Sequence, residues 1–306
     1  MGKPSAVPSW PYGAIHEACR AASIEPSQLV PLGVGHCACF AVPDARLFIR
    51  VGRPGTEELA RNAVRIGRSC AGSLPMLAPA PVEVQQPLVT AGGPVTFWPL
   101  LEPTDDKVDF GWFGKTLRSL HEFPGAPDTQ HRQNDPARGW SRLEKYRNSP
   151  NAHPTVAREI EQLLNDYHGL HGRVVPTLRR GFIHGDAYPA NVLTTVSGSY
   201  LVDYDTAGFG ARYWDLAPTV VAARRFDVSD DEAESLFTAY GEDPRSDARF
   251  WDVVRLREWG TITYLLERAG TSAVYHEELY RRLATRHQSC RWKTLSQLMD
   301  ADDAID

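Results

Sequence analysis

Lysine is nearly missing from this chain. The 33 Lys and Arg include only Lys3, Lys107, Lys115, Lys145 and Lys293. A cation built into the sheet of the first hundred residues must therefore be an arginine. Long apolar runs are missing too: nothing approaches the roughly 20 residues of a membrane span, so no membrane partner is expected. The start, MGKPSAVPSW, lacks an apolar signal core, and Ala6 stands where a myristoylation signal wants Ser or Thr. The expected location is the cytoplasm. The five cysteines are odd in number and form no disulfide framework. His36, Cys37 and Cys39 lie close together, but zinc takes four ligands and no second pair follows. These cysteines read as small apolar strand residues. No Gly-Lys-Ser or Gly-Lys-Thr occurs, which excludes a P-loop. Internal repeats and low-complexity segments are also absent.

What is present is an ordinary globular composition, 42% apolar and 23% charged over 306 residues, a length that suits two subdomains. The net charge of −5 argues against nucleic acid. From Arg224 onward there are 17 Asp and Glu against 12 Lys and Arg, so all the excess acidity is C-terminal. That suits a cationic ligand, although Asp300, Asp302, Asp303 and Asp306 read as a solvated tail.

Periodicity places a helix over residues 11–24 and two strands in LVPLGVGHCACFAVPDARLFIRVG, joined by a turn at Pro43-Asp44. TEELARNAVRIGRSCAG reads as a helix capped by Thr56 and ended by Gly72. LVTAGGPVTFWPLLEP reads as a hairpin running into a proline-broken connector near residues 97–104. Beyond Glu102 helical periodicity dominates, interrupted by RGFIHGD, NVLTT and SGSYLVDYD, which read as short strands. The expected fold is α+β and bilobal. Residues 1–101 make a small β-rich N-lobe with one long helix, and residues 102–306 a larger, mostly helical C-lobe.

The chemistry concentrates in FIHGDAYPANVL and SYLVDYD. Asp186 follows an apolar strand and a glycine. Asn191 opens the next strand, and Asp203 ends the strand paired with it. An Asp and an Asn offer hard oxygens suited to Mg²⁺, which takes one or two protein ligands together with phosphate oxygens. A second Asp outside that set can orient a hydroxyl and take its proton. Four residues separate Asp186 from Asn191, the spacing of a kinase catalytic loop, with a metal-binding Asp further on. Aspartate and asparagine also serve turns, and a lone histidine is commonly a core residue. The four at matching spacing favour a kinase site.

HGDAYPANVL and LVDYDTAGFGARYWDLA, with weaker support from LRSLHEF and the N-lobe pattern, resemble the aminoglycoside phosphotransferase and choline kinase-like family, of protein-kinase-like fold. The resemblance covers most of the chain. It implies that Asp186 is the catalytic base, that Asn191 and Asp203 hold Mg²⁺, that His184 supports the loop and that Asp215 braces it. Asp205 falls near the metal or the substrate. Arg50 takes the place of the phosphate-binding lysine. The family pattern puts its partner glutamate near Asn62, where this chain has an amide, and leaves Glu58 or Glu57 to serve. Gly33, Gly35 and His36 resemble the turn that covers the phosphates. Phe97, Trp98 and Leu100 stand at the hinge that meets the adenine, where Trp98 either lines the base pocket or packs. The implied activity is transfer of the γ-phosphoryl group of ATP or GTP to a hydroxyl of a small molecule, cationic or sugar-containing, with an aminoglycoside-like antibiotic favoured. The alternatives are a metabolic alcohol kinase acting on a choline-like, amino-alcohol or sugar substrate, and a nucleotide-binding pseudokinase.

Overall fold

The computed structural model describes residues 10–25, 28–35, 37–129 and 136–303. In chain order the first elements are α1 (Trp10–Ala21), β1 (Val30–Val34), β2 (Cys37–Val42), β3 (Leu47–Gly52), α2 (Glu57–Cys70), β4 (Leu88–Thr90) and β5 (Gly93–Pro99). Then come α3 (Phe110–His121), α4 (Pro136–Arg147), α5 (Pro154–Val174), β6 (Arg180–Ile183), β7 (Val192–Thr195), β8 (Gly198–Leu201) and β9 (Gly208–Ala211). The chain continues through α6 (Tyr213–Arg225), α7 (Asp230–Tyr240), α8 (Ala248–Tyr264), α9 (Leu266–Ala269), α10 (Ala273–Thr285) and α11 (Leu295–Asp303). None of the described helices is long and apolar enough to cross a membrane.

These elements form two compact units. The first comprises Met1–Val108, Glu122–His131 and Pro189–Gly208. Its centre is an antiparallel sheet in the order β1-β2-β3-β5-β4. Side chains alternate across a strand, so β3 turns Leu47, Ile49 and Val51 into the core shared with Ala14, Ile15 and Ala18 of α1. Arg50 consequently points to the opposite face, where it lines a cavity with Leu59, Ala60 and Ala63 of α2. The stretch expected to hold two strands holds three. Gly35 N–H donates to the Cys37 carbonyl, closing a tight turn, and β1 folds back on β2. Thr56 does not cap α2: its hydroxyl donates to the Arg53 carbonyl.

The hairpin β7–β8, read from sequence as part of the C-terminal stretch, groups with this sheet unit. Leu201 N–H donates to the Pro75 carbonyl, Tyr204 Oη to that of Leu77, and Thr104 N–H to that of Thr194. Contacts made far along the chain outweigh sequence proximity here.

The second unit comprises Asp109–His121, Arg132–Tyr188 and Phe209–Asp306. Strands β6 and β9 pair beside a helical body. One part of its core joins α4, α5, α8 and α10 through Tyr146, Ile160, Leu163, Ile262 and Leu279. Helix α7 begins with a complete capping box, Ser229 and Glu232 each bonding the other's backbone N–H. Helix α6, missed from sequence, is buried almost throughout and contains Pro218, which masked its helical signal.

Helices α3 and α7 approach so closely that a Cβ on Gly114 would run into the Leu236 carbonyl oxygen. Backbone cannot give way as a side-chain tip can. Gly114→Ala should therefore lower stability by about 1–3 kcal/mol, the usual cost of overpacking, read as a drop in the urea midpoint. The same change at Gly172, where a Cβ meets nothing within 4 Å, should leave the midpoint in place or raise it.

Candidate active site

In the second unit, the candidate base is held from three sides. Strand β6 ends at Ile183, and the chain turns outward through Gly185, whose φ of 85° suits glycine. The side chain of Asp215, in the first turn of α6, lies fully buried behind this turn. Its carboxylate accepts the N–H of His184 at 2.6 Å and of Gly185 at 2.8 Å, and pairs with His121 Nε2 at 3.1 Å. The other nitrogen of His121 lies 2.9 Å from Tyr240 Oη. His184 is itself buried, and its Nδ1 accepts the Asp186 N–H at 3.3 Å. Burial would push the Asp215 carboxyl up, but the hydrogen bonds it accepts from His121 and from the backbone N–H of His184 outweigh it and hold the group below the usual carboxylate range.

Arg257, on α8, is the residue that sequence reasoning missed. It is only 3% exposed, yet its Nη2 donates to Asp186 Oδ1 at 3.0 Å. Its guanidinium carbon lies 4.9 Å from the Tyr188 ring centre and 5.1 Å from that of Trp214, a cation–π setting on both. Burial opposes its charge, but Tyr188 and Asp186 hold the guanidinium above its ordinary range. Asp186 keeps a half-exposed carboxylate, so one oxygen is fixed while the group stays within reach of an acceptor. The signal existed only as one of three arginines in a mixed helix, 71 residues from its partner.

In the first unit, the hairpin β7–β8 sets Asn191 and Asp203 at its open end. Val192 pairs with Leu201, and the ladder extends by one bond from Val202 N–H to the Asn191 carbonyl. Asp203, one residue on, has a φ of 63°, a left-handed conformation that aspartate tolerates better than most residues. Its side chain is half exposed. A carboxylate and an amide at the mouth of one hairpin fit Mg²⁺, a hard cation that keeps water and phosphate among its ligands. Among the described residues no group of three or more His, Cys, Asp or Glu could hold a metal.

Arg50 meets both acids of Asp203-Tyr204-Asp205. Its Nη1 donates to Asp205 Oδ1 at 2.8 Å, and its Nη2 to Asp205 Oδ2 and Asp203 Oδ1, each at 2.9 Å. Nη2 also lies 3.1 Å from Cys37 Sγ. Burial disfavours the charge, but Asp205 and Asp203 more than offset it and raise the guanidinium well above its ordinary range. Glu58, expected near Arg50, pairs instead with Arg61 on the exposed side of α2.

The remaining expectations place differently. Gly33 and Gly35 are exposed, and a Cβ there would meet nothing, so packing does not require glycine at either. His36 lies outside the described residues. Phe97 is buried in β5, its N–H donating to Gln86 Oε1 and its carbonyl accepting from Ala80 N–H. Leu100 N–H donates to the Arg46 carbonyl. Those backbone groups are engaged within the protein. Trp98 packs: it is 5% exposed, bonds Thr96 Oγ1 and meets the Tyr204 ring edge-on at 5.9 Å.

The sequence matches the phosphotransferase enzyme family over residues 38–251, about seven-tenths of the chain. The chain belongs to that family. The phosphotransferase is similar in fold to the GDP and kanamycin complex of APH(2")-IIia, at 16% identity and a TM-score of 0.64, over 91% of this chain and 99% of that one. It is similar to choline kinase LicA from Streptococcus pneumoniae at 16% identity and a TM-score of 0.63, over 90% and 98%. Spectinomycin phosphotransferase APH(9)-Ia, solved with ADP and spectinomycin, matches at 15% identity and a TM-score of 0.56, over 90% and 92%. Comparison with curated proteins finds no match. The phosphotransferase thus has the protein-kinase-like fold, and its family activity is phosphoryl transfer.

Asp215 offers a direct test of the brace. Its lowered pKa contributes stability above the unfolded carboxylate value of about 3.9, and that contribution is lost as pH falls through the folded value. Asp215→Asn should therefore be less stable than the parent by about 3 kcal/mol near pH 7. In urea titrations the difference should shrink below about pH 4. A gap independent of pH would show that the charge of Asp215 is not what holds the loop.

Proposed function

We propose that this phosphotransferase is a small-molecule kinase that moves the γ-phosphoryl group of ATP or GTP to a hydroxyl, with an aminoglycoside-like antibiotic as the first acceptor class. The observation that carries the reading is Asp186: a half-exposed carboxylate fixed by a buried arginine, on a loop whose amides are tied to a buried aspartate. Such a group can orient an acceptor hydroxyl and take its proton as phosphoryl transfer proceeds. Positioning is the larger contribution, because a carboxylate held in one geometry needs no reorganisation during the step. Asn191 and Asp203 are the residues that would hold Mg²⁺. When bound, Mg²⁺ supplies neutralisation of charge on the nucleotide phosphates. Arg50 supplies a second positive charge for those phosphates, in a fixed fork rather than a mobile ammonium.

A second acceptor class, choline-like or other metabolic alcohols, is supported by the choline kinase, whose fold matches as well as that of the kanamycin-bound enzyme. The location expected for either enzyme is the cytoplasm.

The test is consumption of ATP and of GTP with Mg²⁺, against aminoglycosides, spectinomycin, choline and amino-sugars. Product should gain about 80 Da, one HPO₃ unit, the group transferred in this chemistry. Asp186→Asn should lower kcat roughly 10²–10⁴-fold while nucleotide affinity stays put. Full activity in that variant would remove Asp186 from the role of base.

A further inference from the structure

Helix α2 offers no carboxylate to Arg50. Glu57 Oε1 accepts the Gly55 N–H and Glu58 pairs with Arg61. A cavity of about 60 Å³ lies on the α2 side of Arg50, lined by Arg50, Thr56, Leu59, Ala63 and Asp205. What α2 contributes is Asn62, whose Nδ2 donates to the carbonyls of Asp205 at 2.8 Å and of Ala207 at 3.0 Å. An amide can make both bonds, whereas a carboxylate there would face two carbonyl oxygens. The amide and Asp205 therefore work as a pair. Asn62 anchors the segment by its backbone, and that segment carries the acid.

The two acids are not equivalent. Asp205 takes Arg50 in a bidentate fork, one oxygen to each terminal nitrogen, the geometry in which an arginine–carboxylate pair is strongest. Asp203 takes Nη2 alone and is half exposed. Nη2 has two hydrogens but three acceptors around it: Asp203 Oδ1, Asp205 Oδ2 and Cys37 Sγ. The Asp203 contact can be given up without leaving Nη2 unpaired, and the Asp205 fork survives its loss.

We propose that Asp205 is the positioning residue for Arg50, replacing the helix carboxylate that α2 lacks. In this arrangement Asp205 is not a metal ligand, and Asp203 is the exchangeable acid, free to turn from Arg50 to a divalent cation. Arg50, still aimed by Asp205, then meets the nucleotide phosphates. The proposal rests on the nucleotide-kinase reading above, and its test uses binding alone, so it needs no known acceptor.

The experiment measures two affinities on the full chain. One is for a fluorescent, non-hydrolysable GTP or ATP analogue in the presence of a chelator. The other is for Mn²⁺ with that analogue at saturation, by electron paramagnetic resonance. Asp205→Asn should weaken the nucleotide about tenfold or more and leave Mn²⁺ affinity within about twofold. Asp203→Asn should do the reverse. Arg50→Gln with Asp205→Asn should bind nucleotide no more weakly than Arg50→Gln alone, because Asp205 acts through Arg50. Asp205→Glu, which keeps the charge and guards against a variant that fails to fold, should recover most of the affinity. Loss of Mn²⁺ in Asp205→Asn, additive losses in the double variant, or no nucleotide effect would each overturn the proposal while the kinase reading stood. A parent protein that binds no nucleotide would overturn both.

Discussion

Everything in the second unit that bears on chemistry depends on one buried carboxylate. Asp215 is fully buried, where an ionised group without partners would cost several kcal/mol. It is tolerated because two successive backbone N–H groups and an imidazole converge on it. The dependence runs both ways. Those amides belong to the turn after β6, so the turn has one conformation in which its donors are satisfied. A loop built this way has Asp186 oriented before any ligand arrives.

Sequence reading found what was encoded locally. The spacing of His184, Asp186, Asn191 and Asp203 survives in a linear string because one turn and one hairpin set it. Asp215 came with the family resemblance carried by LVDYDTAGFGARYWDLA. The partners of these residues were not readable. Arg257 meets Asp186 across 71 residues, and Asp205 meets Arg50 across 155. No periodicity marks either one. Glu58 attracted attention because it stood one turn from the expected place, but helix geometry gave it a nearer partner in Arg61. The strand count failed at Gly35 because a turn of so few residues leaves little polar signal. Trp98, left open between base pocket and core, is 5% exposed and packs against Tyr204.

The scarcity of lysine also acquires a structural meaning. Arg50, Arg225, Arg257 and Arg282 are all largely or wholly buried, and each is met by a carboxylate together with a backbone carbonyl, a thiol or an aromatic face. A guanidinium divides its charge over a plane with five donors and can be satisfied on several sides at once. An ammonium, compact and strongly hydrated, could not replace it in these settings at similar cost.

Two of those arginines give the C-terminal stretch a character its secondary structure conceals. Between α10 and α11 the backbone is irregular, yet the carbonyls of Arg286 and Gln288 accept from Arg225, and that of Lys293 accepts from Arg282. Trp292 lies over both guanidiniums, and its backbone N–H returns a bond to the Arg225 carbonyl. This segment is a coordination shell, with peptide oxygens arranged around two organic cations much as they line an ion site. A chain shortened to the end of α10 would lose more than a loop: Arg225 and Arg282 would keep Glu258 and Glu278 but lose the peptide oxygens that complete their shells.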